Sequence, residues 1–237
     1  MTRALDAAEY DAMWQDYSDN RHYGPTARHI RRLMWQAIAP LQFESVLDVG
    51  CGEGSMLDMV ARLRPSAALA GVDLSPEAVA LSQHRMPTAE FQVLDVVSSH
   101  LPRQFDLVVC NDVMEHVADD VAVLRNLRAM TRRWCLIVTL QGRMRSYERQ
   151  VGHVRNYRPG ELRAKMQSAG FHVTGQLDWG WPFYSPLYRE VMHLIPQGAM
   201  TGEFGPMRRL AARLQYALFS LNSSRRGDYV ICLGETQ

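Results

Sequence analysis

The stretch Val46-Leu47-Asp48-Val49-Gly50-Cys51-Gly52-Glu53-Gly54 constrains the fold more than any other part of the chain. A short apolar run ends in an acidic residue, and a glycine-dense turn follows at once. Past it, Met56, Leu57, Val60 and Ala61 recur at helical spacing, which predicts strand, tight turn and helix. Glycines in such a turn let backbone N–H groups approach a ligand that any Cβ would hold off. The room above the turn is of nucleotide size.

The same alternation continues. Strands are predicted at 69–73, 91–94, 105–110 and 134–140, with helices at 54–63, 76–85, 118–130 and 159–169. Ser75 is a plausible N-cap for the helix at 76, and Gly170 closes the helix at 159–169. The strands are apolar without alternation, so both faces of the sheet are buried, and intervening helices make it a parallel sheet covered on both sides. Residues 171–178 and 228–233 read as a last antiparallel pair separated by about fifty residues, too many for a hairpin loop. The predicted class is therefore α/β, a Rossmann-like sheet, mostly parallel with the last strand antiparallel, with a helical and aromatic cap between the last two strands. A length of 237 residues suits one domain, divided into an N-terminal helical lid (1–40), a cofactor-binding core (41–178), a substrate cap (179–227) and a final strand and tail (228–237).

In open parallel sheets ligands bind outside the carboxyl ends of the strands. Three acids occupy those ends: Asp48, Asp73 and Asp95. A carboxylate about twenty residues beyond the glycine turn can accept from both ribose hydroxyls, and one at the third strand end can accept from an adenine amino group. Each acid alone is equally a capping or loop carboxylate.

The segments Val-Leu-Asp-Val-Gly-Cys-Gly-Glu-Gly, Gly-Val-Asp-Leu-Ser-Pro-Glu-Ala-Val and Phe-Asp-Leu-Val-Val-Cys-Asn-Asp-Val-Met-Glu-His-Val together resemble the class I S-adenosylmethionine-dependent methyltransferases over residues 43–178. The likeness is to their small-molecule members. It implies cofactor contacts from Asp48, Gly50 and Gly52 on the methionine side, and from Asp73, with Leu74 beside it, on the ribose. Asp95 and Val96 would meet the adenine, and Asn111 would lie beside the sulfonium. A dinucleotide-binding fingerprint fits less well, because Gly54 falls one residue early for GxGxxG.

If the chain turns helical after the fourth strand, Asp112, Glu115 and His116 share one face. Two carboxylates and an imidazole suit an oxygen-preferring divalent cation such as Mg2+. With His153 as a fourth ligand, the set resembles the Glu-x-x-Glu-His site of the quinone-biosynthesis O-methyltransferases and the small-RNA 2′-O-methyltransferases. Asp112 in the first position departs from it, since aspartate reaches less far. Two other readings compete. His116 or His153 acts as a metal-free general base, or Glu115 caps the next helix and His116 packs under the lid.

The loop 141–158 carries Arg143, Arg145, Arg149, Arg155 and Arg158 against Glu148 alone. It reads either as a solvated lid or as guanidinium forks for an anionic acceptor, with Tyr157 and His153 closing over the methyl site. In the cap, Trp179, Trp181, Phe183, Tyr184 and Tyr188 precede Val191, Met192, Leu194, Ile195, Met200, Phe204 and Met207. A helix at 207–221 then places Leu210, Leu214, Ala217, Leu218 and Leu221 on one face. This suits a roomy apolar pocket over the site's open side, packing of the cap on the sheet, or a homodimer interface. Membrane-surface contact through the Trp/Tyr/Pro run with Arg208, Arg209 and Arg213 is a further reading. At the other end, Tyr10, Trp14, Tyr17 and Tyr23 fit a helix folding over the site or anchoring to the core.

A formal charge of +1 argues against DNA and, with no RNA-binding module recognisable, against RNA. Four cysteines without a CxxC pair read as buried free thiols. No signal peptide or spanning segment is visible, so a cytoplasmic protein is expected. The sequence thus predicts an S-adenosylmethionine-dependent O-methyltransferase for a hydroxylated, partly apolar small molecule such as a phenol, a polyketide-like product or a lipid- or sugar-linked intermediate. The alternatives are an RNA 2′-O-methyltransferase and a non-catalytic S-adenosylmethionine-binding partner protein.

Overall fold

The structure is a computed structural model that describes residues 18–191 and 202–236. Tyr10, Trp14 and Tyr17 of the expected lid, and Met192, Leu194, Ile195 and Met200 of the expected cap, lie outside the described residues.

Helices α1 (Ser18–Tyr23) and α2 (Pro25–Ile38) come first among the described residues. Pro25 stands at the start of α2, where a missing N–H costs nothing. Ile30, Leu33, Met34 and Ile38 recur on its buried face. The core then alternates through β1 (Ser45–Val49), α3 (Ser55–Leu63), β2 (Ala68–Asp73), α4 (Pro76–Arg85), β3 (Glu90–Val93), β4 (Phe105–Asn111), α5 (Asp120–Met130) and β5 (Thr131–Leu140). Ser75 caps α4 as expected, its side chain accepting from Ala78 N–H. Next come α6 (Ser146–Gln150), α7 (Glu161–Ser168) and β6 (Phe171–Trp179). The insert holds a kinked π-helical turn (Phe183–Tyr188) and α8 (Pro206–Phe219), and β7 (Tyr229–Thr236) closes the chain.

The seven strands form one sheet in the order β3-β2-β1-β4-β5-β7-β6. The first five run parallel, and β7 is antiparallel to both β5 and β6. Each face buries its own core, as unalternated apolar strands require. One face packs Leu124, Leu127, Leu162 and Met166 against Val108, Cys110 and Ile137. The other packs Ile30, Met34, Leu57 and Val60 against Val46, Val109 and Val138, and takes in Trp179, Tyr184 and Phe219 from the insert. Burying one such aliphatic side chain stabilises the fold by about 1.5–3 kcal/mol, so truncating Leu127 to alanine would cost roughly 2–5 kcal/mol. All four cysteines are buried and free.

Two expectations are corrected. The leucine face of α8 does not close over the site: Leu210, Leu214, Leu218 and Leu221 are exposed. The helix seats Ala212 and Phe219 inward instead, the small alanine allowing close approach to α2. Nor is the 141–158 loop a solvated lid, because Gln141, Glu148, His153 and Tyr157 are buried in it.

Candidate functional site

The strand order reverses direction at β1, between β2 and β4, and the carboxyl ends of β1, β2 and β4 converge there. Asp48 on β1 is buried, and its Oδ2 has no hydrogen-bond partner. Burial, with the neighbouring Asp73 charge adding to it, pushes its carboxyl up to about 7. The turn that follows has Gly50, Gly52 and Gly54 at φ 75°, 55° and 79°, conformations that favour glycine. A Cβ at Gly50 would stand 2.3 Å from Val113 Cγ2. The turn is tied to β2, with Gly50 N–H donating to Val72 O at 2.8 Å and Gly52 N–H to Asp73 Oδ2 at 2.8 Å. Asp73 Oδ1 accepts from Ser75 N–H at 2.9 Å. Leu74 and Asp95 lie exposed along the rim, and Val96 is buried beside them. Asp95 Oδ1 accepts from Val97 N–H at 2.9 Å.

Arg21 on α1 completes this end, and the sequence offered no signal for it. It lies within electrostatic reach of Glu53 and Asp73; burial lowers its pKa and those two charges oppose the shift. Its carbonyl accepts from Arg31 at 2.7 Å, which fastens α1 to α2.

At the end of β4 the chain does not turn helical. Asp112 takes the left-handed region at φ 53°, and Asp119, not Glu115, caps α5 by accepting from Ala122 N–H. Asp112 to His116 is instead a tight turn, with His116 N–H donating to Val113 O at 2.9 Å. The consequence is a different grouping from a shared helix face. Single ligand atoms of Glu115, His116 and His153 lie within 4.8 Å of one another. Asp112 stands outside that group, its Oδ2 accepting from Asn111 Nδ2 at 3.1 Å.

The 141–158 loop delivers His153. Val154 and Arg155 N–H donate to Glu115 O at 2.8 and 3.3 Å, and His153 N–H donates to Glu148 O at 2.9 Å. The His116 and His153 rings meet edge-on with centroids 4.6 Å apart. Glu115 is fully buried and accepts from the Thr139 hydroxyl at 2.6 Å. Burial, joined at Asp112 by the nearby Glu115 charge, holds both carboxyls above the usual range. Burial also pushes His153 down to about 3, helped by His116 and Arg189. Its Nδ1 is buried without a hydrogen-bond partner. The donor set is one carboxylate and two neutral imidazoles on a water-poor floor, and it fits a divalent cation.

Three of the five loop arginines are engaged within the protein. Arg145 pairs with Glu190 at 2.8 Å and Asp228 at 3.0 Å, Arg143 pairs with Glu190, and Arg155 pairs with Asp120 at 2.7 Å. Arg149 and Arg158 are exposed. Fully buried Arg189 from the insert binds Glu148 and Asp228. The Tyr157 hydroxyl donates to Asp120 at 2.8 Å. Tyr184 and Tyr229 stand within electrostatic reach of Asp112.

A parallel sheet with its glycine turn and acids at the switch point, closed by an antiparallel strand, defines a Rossmann-like methyltransferase fold. Residues 47–134 match the methyltransferase-domain family. Among curated proteins, the chain is 32% identical over 126 residues to the ubiquinone biosynthesis O-methyltransferase of Albidiferax ferrireducens, covering 49% of either chain. It is 35% identical over 102 residues to that of Paracidovorax citrulli, covering 40% of this chain and 42% of the relative. The chain thus spans about half the length of the curated relatives it matches. Among solved structures, the N-methyltransferase NodS from Bradyrhizobium japonicum, in complex with S-adenosylhomocysteine, matches at TM-score 0.64 and 12% identity over 98% of this chain and 99% of that one. The cyclase SpnF matches at TM-score 0.65 and 17% identity over 99% and 98%. These structures share the fold, which by itself hosts more than one chemistry. The matched segment is similar to the methyltransferase-domain family and to those O-methyltransferases. No helix among the described residues is long and apolar enough to cross a membrane.

Proposed function

We propose that the chain moves a methyl group from S-adenosylmethionine to a hydroxyl oxygen of a small, partly apolar acceptor. Glu115, His116 and His153 would hold a divalent cation such as Mg2+. The observation that carries the reading is the convergence of those three side chains at the end of β4, beside the glycine turn. The cofactor brings a methyl group already activated as a sulfonium, and the cation lowers the pKa of a hydroxyl bound to it. An amine acceptor needs no such device, so the donor set favours oxygen. That both curated relatives are O-methyltransferases supports the same choice.

The chain's own residues would orient and protect. Asp48, unpaired and buried, faces the methionine end, with Gly50 and Gly52 giving close backbone approach. Asp73 and Leu74 receive the ribose, Asp95 and Val96 the adenine, and Asn111 stands nearest the methyl group. His153 stays neutral at physiological pH, so one ring nitrogen keeps a lone pair for a cation or a proton. One lone pair cannot serve both. Since Arg143, Arg145 and Arg155 are paired internally, the acceptor pocket draws on Tyr184 and Tyr229 more than on guanidinium forks.

The test is methyl transfer from labelled cofactor to a panel of phenols, catechols and matched amines, with and without a chelator. Label is expected in an ether product, lost in chelator and restored by Mg2+. Label on the amines alone overturns the oxygen reading. A full rate in chelator overturns the cation and leaves His116 or His153 as base.

A further inference from the structure

Helix α8 carries two apolar sides, and the fold uses one. Its inward side holds Ala212 and Phe219, with the Tyr216 carbonyl accepting from His29 Nε2 at 2.9 Å. Opposite, Met207, Leu210, Leu214 and Leu218 fall within an arc of about 80° at 3.6 residues per turn, and Leu221 continues the stripe. These five are 43–84% exposed. Scattered surface leucines need no explanation, but a continuous stripe on one helix does.

The charge around it is one-sided. Residues 203–226 contain five arginines and one acid, Glu203, in a chain whose formal charge is +1. Arg213 borders the stripe on one side, Arg209 beyond it turns to the Phe204 carbonyl and the Tyr23 ring, and Arg225 and Arg226 follow the helix. Trp181 is half-exposed at that end, bonded through its backbone to Ser223 and Arg226, with the Arg226 guanidinium 4.9 Å from its ring centroid. Leucines on one arc, Arg213 beside it, Arg225 and Arg226 past its end and an indole at the edge suit a helix lying in a headgroup layer.

We propose that α8 is a docking surface for an anionic lipid bilayer, with Met207, Leu210, Leu214, Leu218 and Leu221 entering the headgroup boundary. A second copy of this chain fits the patch poorly. A 14-residue helix is about 21 Å long, and a strip some 10 Å wide offers on the order of 200 Å2, against roughly 800 Å2 per partner in a stable interface. A two-fold contact would also set the same arginines against each other. The surface stands whether or not the chain transfers methyl groups.

Flotation of the purified protein with phosphatidylcholine vesicles, with and without phosphatidylglycerol, tests it. Co-flotation is expected with the anionic vesicles only, weakening at high salt. The triple variant Leu210→Gln, Leu214→Gln, Leu218→Gln should lose about tenfold or more of the partition, with an unchanged melting temperature because all three side chains already meet water. Three outcomes overturn the proposal: no flotation with anionic vesicles, flotation unaffected by the triple variant, or a dimer in sedimentation velocity that the variant turns to monomer.

Discussion

Asp73 Oδ2 accepts the backbone N–H of Gly52 at 2.8 Å, which clamps the end of β2 to the glycine turn after β1. With Oδ1 on Ser75 N–H, one carboxylate fixes the turn and orients the start of α4. Asp73→Asn keeps the shape but replaces one acceptor with a donor that meets N–H. Hydrogen bonds to a charged acceptor are worth about 1.5–3 kcal/mol. Denaturant unfolding should show a loss of that order, and calorimetry should show S-adenosylhomocysteine binding at least about tenfold weaker.

Asp48 gives cofactor binding a pH signature. Its carboxyl titrates at about 7 because burial and the Asp73 charge favour the neutral form. A methionine ammonium would favour the ionised form, so affinity should rise as pH increases towards 7 and level off above it. Binding near pH 6.5 should release a proton, measured as a dependence of the calorimetric heat on buffer ionisation enthalpy. Asp48→Asn should bind more weakly with no pH step; a step that persists in this variant excludes Asp48 as its source.

Gly50 separates two costs of a side chain. Alanine there must hold φ near 75° and place a Cβ 2.3 Å from Val113 Cγ2. The left-handed conformation alone costs about 1–2 kcal/mol, and the clash adds to it. Gly50→Ala with Val113→Ala should therefore be less destabilised than the sum of the single variants, yet remain below wild type. Additive losses in a denaturation cycle would show that the clash relaxes by itself.

The parts of the molecule legible in the sequence are those that local chemistry dictates. The run from Val46 to Gly54, the Ser75 cap and the apolar strands each carry their signal within a few residues. What stayed hidden depends on partners far along the chain. Arg145 looks solvated until Asp228 and Glu190 are brought to it, and Arg189 looks unremarkable until Glu148 is. Tyr157 has no local sign that Asp120 will claim its hydroxyl. At Asp112 the left-handed backbone replaced the expected helix, which left Asp112 outside the expected set while Glu115, His116 and His153 still meet. The α8 leucines follow a helical period faithfully, but periodicity does not say which of two apolar sides faces inward.

His29 joins α2 to α8 and sets how the fold responds to acid. Its Nε2 donates to Tyr216 O at 2.9 Å, its Nδ1 accepts from Arg32 at 3.2 Å, and its ring stacks on Tyr216 with centroids 4.0 Å apart. Both nitrogens are satisfied in the neutral form. Burial, which outweighs the Tyr216 bond, brings the pKa down to about 4. The unfolded chain therefore takes up a proton near pH 6.5 that the folded protein refuses until about 4. Stability from this group is complete above 6.5, falls as pH drops through that window, and falls no further below 4. The loss is on the order of 1–2 kcal/mol, discounted from the full shift because the Arg32 guanidinium bonded to Nδ1 is exposed to solvent. Asp48 works in the opposite direction between 7 and 4, since its raised carboxyl binds a proton more readily when folded. The diagnostic is thus the difference between wild type and His29→Gln, which keeps a donor for Tyr216 without the titration. Guanidinium unfolding across pH 4–7 should show the gap between the two narrowing, or changing sign, as pH falls; a gap independent of pH would mean that His29 takes up its proton in the fold as readily as in the unfolded chain.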